Sequence, residues 1–163
     1  MHILIKKKYL LFKEYRIKCS IGKRGIKKKV KEGDFVTPKG IHKIKLILYR
    51  KDRIKKFNTP IKKLAIKRNM GWCDDPNSNK YNKLIICPFN FNYEKLYRKE
   101  NVYDIVIVLN YNMNPVIKKK GSAIFIHIAR KNYKKTEGCV AIKKGDMLKI
   151  IQNLKSNTIV EIS

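Results

Sequence analysis

The feature that most constrains the fold is a run of five apolar residues, Ile105-Val-Ile-Val-Leu109, with a second run, Ala123-Ile-Phe-Ile-His-Ile128, that carries one histidine near its end. Runs this short, rich in β-branched residues and bounded by polar turns, suit central strands buried on both faces. Val140-Ala-Ile142 is a third, shorter run. Residues 2–5 and 9–13 read as short strands, 16–21 and 41–49 alternate apolar with polar positions, and 158–162 closes the chain as a strand. Only Met147, Ile150, Ile151 and Leu154 recur at helical spacing, behind Asp146, an acid placed where a helix N-terminus favours one. The chain is expected to be mainly β with one short C-terminal helix.

Between these segments, 22–25 and 31–34 read as turns and Arg50 to Arg53 as a hairpin tip. Residues 69–82 form a long irregular loop rich in Gly, Asp, Asn and Pro, and 94–98 one or two helical turns. With 163 residues and no repeat or low-complexity linker, a single domain spanning 1–163 is expected. No stretch approaches the roughly 20 apolar residues of a membrane span. The first 15 residues interleave charges with apolar positions and lack a small-residue cleavage site, so they read as strands and not as a secretory signal.

The chain has 40 Lys and Arg against 12 Asp and Glu, a formal net charge of +28. Such a charge attracts polyanions through counterion release. Only seven of the basic residues are Arg, and the Lys runs at 6–8, 27–29 and 118–120 are scattered along the chain. Arg's rigid fork is the group that reads bases and phosphates, so no specific nucleic-acid partner is expected.

Four cysteines, at 19, 73, 87 and 139, form no Cys-x-x-Cys pair, so neither a structural zinc site nor a disulfide framework is expected. Cys73 precedes Asp74 and Asp75, whose charges disfavour a thiolate, and reads as a packing residue. His42 reads as a surface residue. Cys139 differs: it follows Gly138 and opens an apolar strand, and His127 ends another. A cysteine nucleophile needs a base or a positive field to lower a thiol pKa of about 8.5. His127 supplies the base, and Lys134, Lys135, Lys143 and Lys144 the field. Gly138 frees the backbone to turn its amide inward, as an oxyanion hole requires. A buried structural Gly-Cys pair fits the same residues.

The order His127, loop, Thr136-Glu-Gly-Cys139, strand resembles the L,D-transpeptidase (YkuD-like) catalytic domain, whose signature is a His followed by Ser/Thr-His-Gly-Cys. Gly33-Asp-Phe-Val-Thr-Pro-Lys-Gly40 resembles that family's Thr-Pro-x-Gly stretch. Gly71-Trp-Cys-Asp-Asp-Pro76, Tyr81-Asn82, Leu96-Tyr-Arg98 and Tyr103-Asp104 resemble one of its branches. The likeness spans roughly residues 17–155. It implies a β-sandwich with one short C-terminal helix and a cysteine L,D-transpeptidase acting on peptidoglycan stem peptides without metal or organic cofactor. Cys139 is then the nucleophile, His127 its base, the Ile128 carbonyl the acceptor that orients the imidazole, and the Gly138 and Cys139 amides the oxyanion donors.

Two positions and one spacing depart from the family pattern. Glu137 replaces the motif histidine, Ala141 stands where Arg or Asn is common, and the His-to-Cys interval of 12 positions is short. Substrate contacts are expected from Glu137, with a cationic amine, and from Arg130 or Arg98, with a carboxylate. Thr136, Trp72 and Asp74 are placed in the substrate wall. Carbapenems are expected to acylate Cys139, a monomer is expected, and the substrate implies the cell envelope or periplasm. Two other readings stay open. Water resolving the thioester makes the protein an L,D-carboxypeptidase or amidase; a structural Gly138-Cys139 makes it a non-enzymatic polyanion-binding β domain.

Overall fold

The computed structural model describes residues 1–163. In chain order the strands are β1 (His2–Lys6), β2 (Tyr9–Phe12), β3 (Tyr15–Ser20), β4 (Ile26–Lys27), β5 (Thr37–Pro38), β6 (Gly40–Tyr49) and β7 (Lys63–Ala65). There follow β8 (Met70–Cys73), β9 (Leu84–Ile86), β10 (Tyr93–Lys95), β11 (Ile105–Leu109), β12 (Phe125–Ile128), β13 (Val140–Ile142) and β14 (Ile159–Ile162). The only α-helix, α1 (Lys144–Asn153), lies between β13 and β14, and short 3-10 turns precede β11 and follow β12.

The strands pair in the order β11-β12-β13-β3-β2-β1-β14-β6, and β6 pairs back onto β11, so eight strands close a ring with β7 appended to β6. Closure removes the unpaired edges that an open sheet must protect. The mainly β expectation with one short helix therefore holds, while the strand pairing describes a ring where the resemblance implies a two-sheet sandwich. β10-β8-β9 make a separate three-stranded sheet, and β4-β5 a two-stranded one.

Alternation along the ring strands fills its interior. Ile3, Leu10, Ile17, Ile47, Ile107, Ile126, Val140 and Val160, one from each ring strand, belong to one cluster of 24 buried apolar residues. Met147, Ile150 and Ile151 of α1 join that cluster, which explains their helical spacing. On the other face of β6, β11 and β12, Leu48, Val106, Val108 and Phe125 pack with Met70, Trp72 and Leu96 of the outer sheet region in a second cluster. β11 and β12 are thus covered on both faces, the reason their sequences run apolar without a break.

Several local expectations fail. The 69–82 segment contains β8, whose four residues are all buried. Residues 93–95 are a strand, β10, paired with β8, and not a helical turn. Arg50 to Arg53 is not a hairpin tip, because β7 runs parallel to β6; Arg50 is buried with its guanidinium on Asp52 and the Arg98 carbonyl. His42 is buried, its Nε2 near the Pro38 carbonyl and its ring against Tyr111. No helix is long and apolar enough to cross a membrane.

Candidate active site

Strand alternation places the chemistry. In β12, Ile126 and Ile128 point into the ring, so Phe125 and His127 face outward. β13 runs parallel with Ala141 opposite His127, and its Val140 and Ile142 also point inward. Cys139 and Ala141 therefore share the outward face with His127. Between this face and the outer sheet lies a cavity of about 450 Å³ lined by both Cys139 and His127.

The imidazole is fixed from two directions. Its Nδ1–H donates to the Ile128 carbonyl at 2.9 Å, which leaves Nε2 unprotonated and able to accept a proton. The Tyr103 ring meets it edge to face at 5.4 Å between centroids. The Cys139 thiol donates to the Ala123 carbonyl at 3.1 Å, and the Phe125 N–H points at the sulfur at 3.4 Å. No hydrogen bond joins imidazole to sulfur; both groups meet the cavity instead.

The loop before the cysteine is shaped by Thr136. Its hydroxyl donates to the Cys139 carbonyl at 2.5 Å and accepts from the Gly138 N–H at 3.2 Å. Gly138 has φ +147°, and a Cβ there would lie 3.0 Å from the Val36 carbonyl oxygen, so the position is closed to other residues. Of the two amides that the resemblance assigns to an oxyanion hole, the Cys139 N–H has no partner within the protein, whereas the Gly138 N–H is engaged by Thr136.

Both candidate reacting groups rest neutral. Burial pushes the Cys139 thiol up to about 12, the Glu94 carboxylate adds to this, and the Phe125 N–H and Lys29 oppose it. Burial brings His127 down to about 4, against the Ile128 bond, with Arg130 and Arg98 lowering it further. The positive field expected to ionise the thiol is weaker than the desolvation it must overcome. Of the four lysines expected there, Lys134 and Lys135 line the cavity; Lys143 and Lys144 do not, and Lys144 is bound to Asp104.

Four of the chain's 12 acidic residues, Glu32, Asp74, Glu94 and Glu137, line this one cavity beside six basic ones. The surface is overwhelmingly cationic, but the cavity wall is close to charge balance. Glu94 accepts from the Tyr103 hydroxyl and pairs with Arg98 at 3.1 Å. Burial pushes its carboxyl upward, against those two partners. Asp74 has one carboxylate oxygen, Oδ1, that is buried without a hydrogen-bond partner, and burial followed by the Glu32 charge raises its pKa.

Of the residues assigned to substrate, Glu137, Arg130, Arg98 and Asp74 line the cavity. Arg98 is already paired with Glu94, whereas Arg130 has no carboxylate partner. Thr136 touches the cavity, but its hydroxyl is used up within its own loop. Trp72 does not line the cavity: it is 3% exposed, bonded through Nε1 to Asn82 and packed on Phe125, so it is a core residue. Sequence reasoning missed Glu94, Tyr103 and Lys29. The signal available for Lys29 was Asp34, five residues on, with which it forms a buried ion pair at 2.5 Å. Cys73 is fully buried, consistent with packing, and all four cysteines are free thiols.

A family model for the L,D-transpeptidase catalytic domain matches residues 4–162, essentially the whole chain. The chain belongs to this family. The match is wider than the 17–155 over which the motifs are recognisable: it takes in most of β1, all of β2 and all of β14, and β1 and β14 are terminal strands that pair in parallel and help close the ring. No curated protein gives a significant match.

Proposed function

We propose that this L,D-transpeptidase-family protein joins peptidoglycan stem peptides through a thioester on Cys139. The observation that carries the reading is the division of labour on His127: Nδ1 is committed to the Ile128 carbonyl, so Nε2 is the nitrogen left to take a proton in the cavity that Cys139 lines. A backbone acceptor fixing tautomer and plane is what a general base beside a nucleophile requires.

In this mechanism, Cys139 Sγ attacks a stem-peptide carbonyl as its proton passes to His127 Nε2. The C–N bond to a D-amino acid breaks, and the leaving nitrogen takes the proton from Nε2. An acceptor amine on a second stem then gives a proton to Nε2 and attacks the thioester; sulfur leaves and regains the proton. Because thiol and imidazole both rest neutral, proton transfer accompanies attack and is not complete beforehand. The unpartnered Cys139 N–H is the donor available to the oxyanion. The near-balanced cavity wall suits a substrate carrying both amine and carboxylate, with Glu137 on the amine and the unpaired Arg130, in preference to Arg98, on the carboxylate. The polymer places this work in the cell envelope.

Intact mass after carbapenem exposure tests the reading. The wild type is expected to gain one carbapenem equivalent and Cys139→Ala none; an unmodified wild type returns the protein to a polyanion-binding β domain. Incubation with tetrapeptide stems then separates outcomes by mass: dimers for transfer, trimmed tripeptide for hydrolysis.

A further inference from the structure

The connection between β9 and β10 shows aromatic rings to solvent on a protein whose surface is otherwise dominated by lysine. Ile86, Phe91 and Tyr93 are 51%, 43% and 37% exposed. Phe89 stands between two of these rings, its centroid 5.7 Å from that of Phe91 and 6.1 Å from that of Tyr93. A contiguous apolar patch of this kind marks a contact surface, whereas single exposed apolar residues do not. The platform is also built: a Cβ at Gly71 of β8 would collide with the Tyr93 ring and lie 2.9 Å from Ile85 Cδ1, so the ring rests on a strand position that only glycine leaves open. Tyr93 lines the cavity as well, which makes the patch continuous with the candidate site.

Charge indicates the partner. About a quarter of the chain is Lys or Arg, yet none lies between Arg68 and Lys80 or between Lys83 and Lys95, the segments that carry β8, β9 and the aromatic turn up to Tyr93. The polar groups beside the rings are the exposed Asn90 and Asn92 and the carboxylate of Asp75, which accepts from the Asn92 N–H at 3.2 Å. An anionic lipid surface is met by aromatic residues with a basic face, and single-stranded nucleic acid by rings in a positive groove. Rings with carboxamides, one carboxylate and no cation match an uncharged polyol instead: the C–H faces of pyranose rings lie on aromatic faces, amides exchange hydrogen bonds with hydroxyl and acetamido groups, and a carboxylate accepts from hydroxyls.

We propose that Phe89, Phe91 and Tyr93, with Asn90 and Asn92, form a docking platform for an N-acetylated glycan strand, from which an attached stem peptide enters the cavity past Tyr93. The identity of the polymer rests on the peptidoglycan reading above; the binding itself does not require acyl transfer.

The test titrates N-acetylchitohexaose, an uncharged β-linked hexasaccharide, into the full-length Cys139→Ala protein, with binding read by calorimetry and by amide shifts in residues 86–93. Saturable binding is expected, weakened about tenfold by Phe91→Ala or Tyr93→Ala, the scale of one lost aromatic contact. Melting curves check that both variants remain folded. Phe91 is largely exposed, so its truncation keeps the test available should Tyr93→Ala unfold. No binding, or binding that neither substitution weakens, overturns the platform; so does co-sedimentation of the protein with anionic phospholipid vesicles through these rings in place of hexasaccharide binding. A protein that binds hexasaccharide but resists carbapenem keeps the platform and loses the acyl-transfer reading. The reverse result loses the platform alone.

Discussion

Inside the strand ring, Ile105, Ile107, Ile126 and Ile128 belong to a cluster of 24 buried apolar residues. The residues alternating with them, Val106, Phe125 and His127, look out on a layer that holds Glu94, Arg98 and Cys139. The same two strands serve both. One face is uniform, and its contribution to stability grows with the apolar area removed from water. The other mixes apolar packing with partly desolvated charge, where single groups change pKa values and hydrogen bonds. Alternation lets a short strand do both, because a residue's face is set by parity and not by distance along the chain.

Substitutions on the two faces should therefore fail differently. The largest effect is expected from Ile107→Ala, which opens a cavity inside the ring and should cost about 4 kcal/mol of unfolding free energy in urea melts. A loss below about 1 kcal/mol would mean that the ring interior is not the stabilising core. Next is Asp34→Asn, which strands Lys29 in a site where both side chains are at most 5% exposed and should cost about 3 kcal/mol. Although burial opposes it, Lys29 and three backbone N–H groups hold the Asp34 carboxyl down at about 2, from 3.8. Its contribution is thus present above about pH 4 and fades as pH falls towards 2. Acid melts in which wild type and Asp34→Asn converge over that window check the sign.

The cavity face is probed by reactivity. With the thiol near 12, alkylation of Cys139 by iodoacetamide should rise about tenfold per pH unit from pH 7 to 10 without levelling. A plateau by pH 8 would reveal a thiolate already formed at rest. The smallest effect is expected from Glu137→Gln: an exposed ion pair is worth up to about 1 kcal/mol, so KM for a cationic acceptor amine should rise no more than about fivefold. Acceptor dependence identical to wild type removes Glu137 from substrate recognition.

These contrasts also explain what the sequence could yield. β11, β12 and α1 were legible because burial on two faces, or on one helical stripe, leaves a local pattern. Ring closure left none, since β11 with β6 and β1 with β14 join strands far apart in the chain. β8 was hidden because it contains Gly71 and sits among turn-forming residues. His127 and Cys139 were recognisable from their motif. Glu94 was not, because its importance arises from β10 pairing with β8 and bringing a carboxylate up to a cavity that neither strand builds alone, and Tyr103, though part of a resembling segment, gained its place only through Glu94 and the His127 ring. Trp72 misled for a related reason: two positions from Asp74 in sequence, it lies within β8 and is packed under Phe125 in the core, whereas Asp74 lies past the end of that strand, where the chain reaches the cavity.

The bond from His127 to the Ile128 carbonyl has a genetic consequence. Where an imidazole leans on an aspartate, one codon change removes its support. Here the support is part of the main chain, which every amino acid at position 128 supplies. A missense change at position 128 therefore leaves that acceptor in place on the main chain.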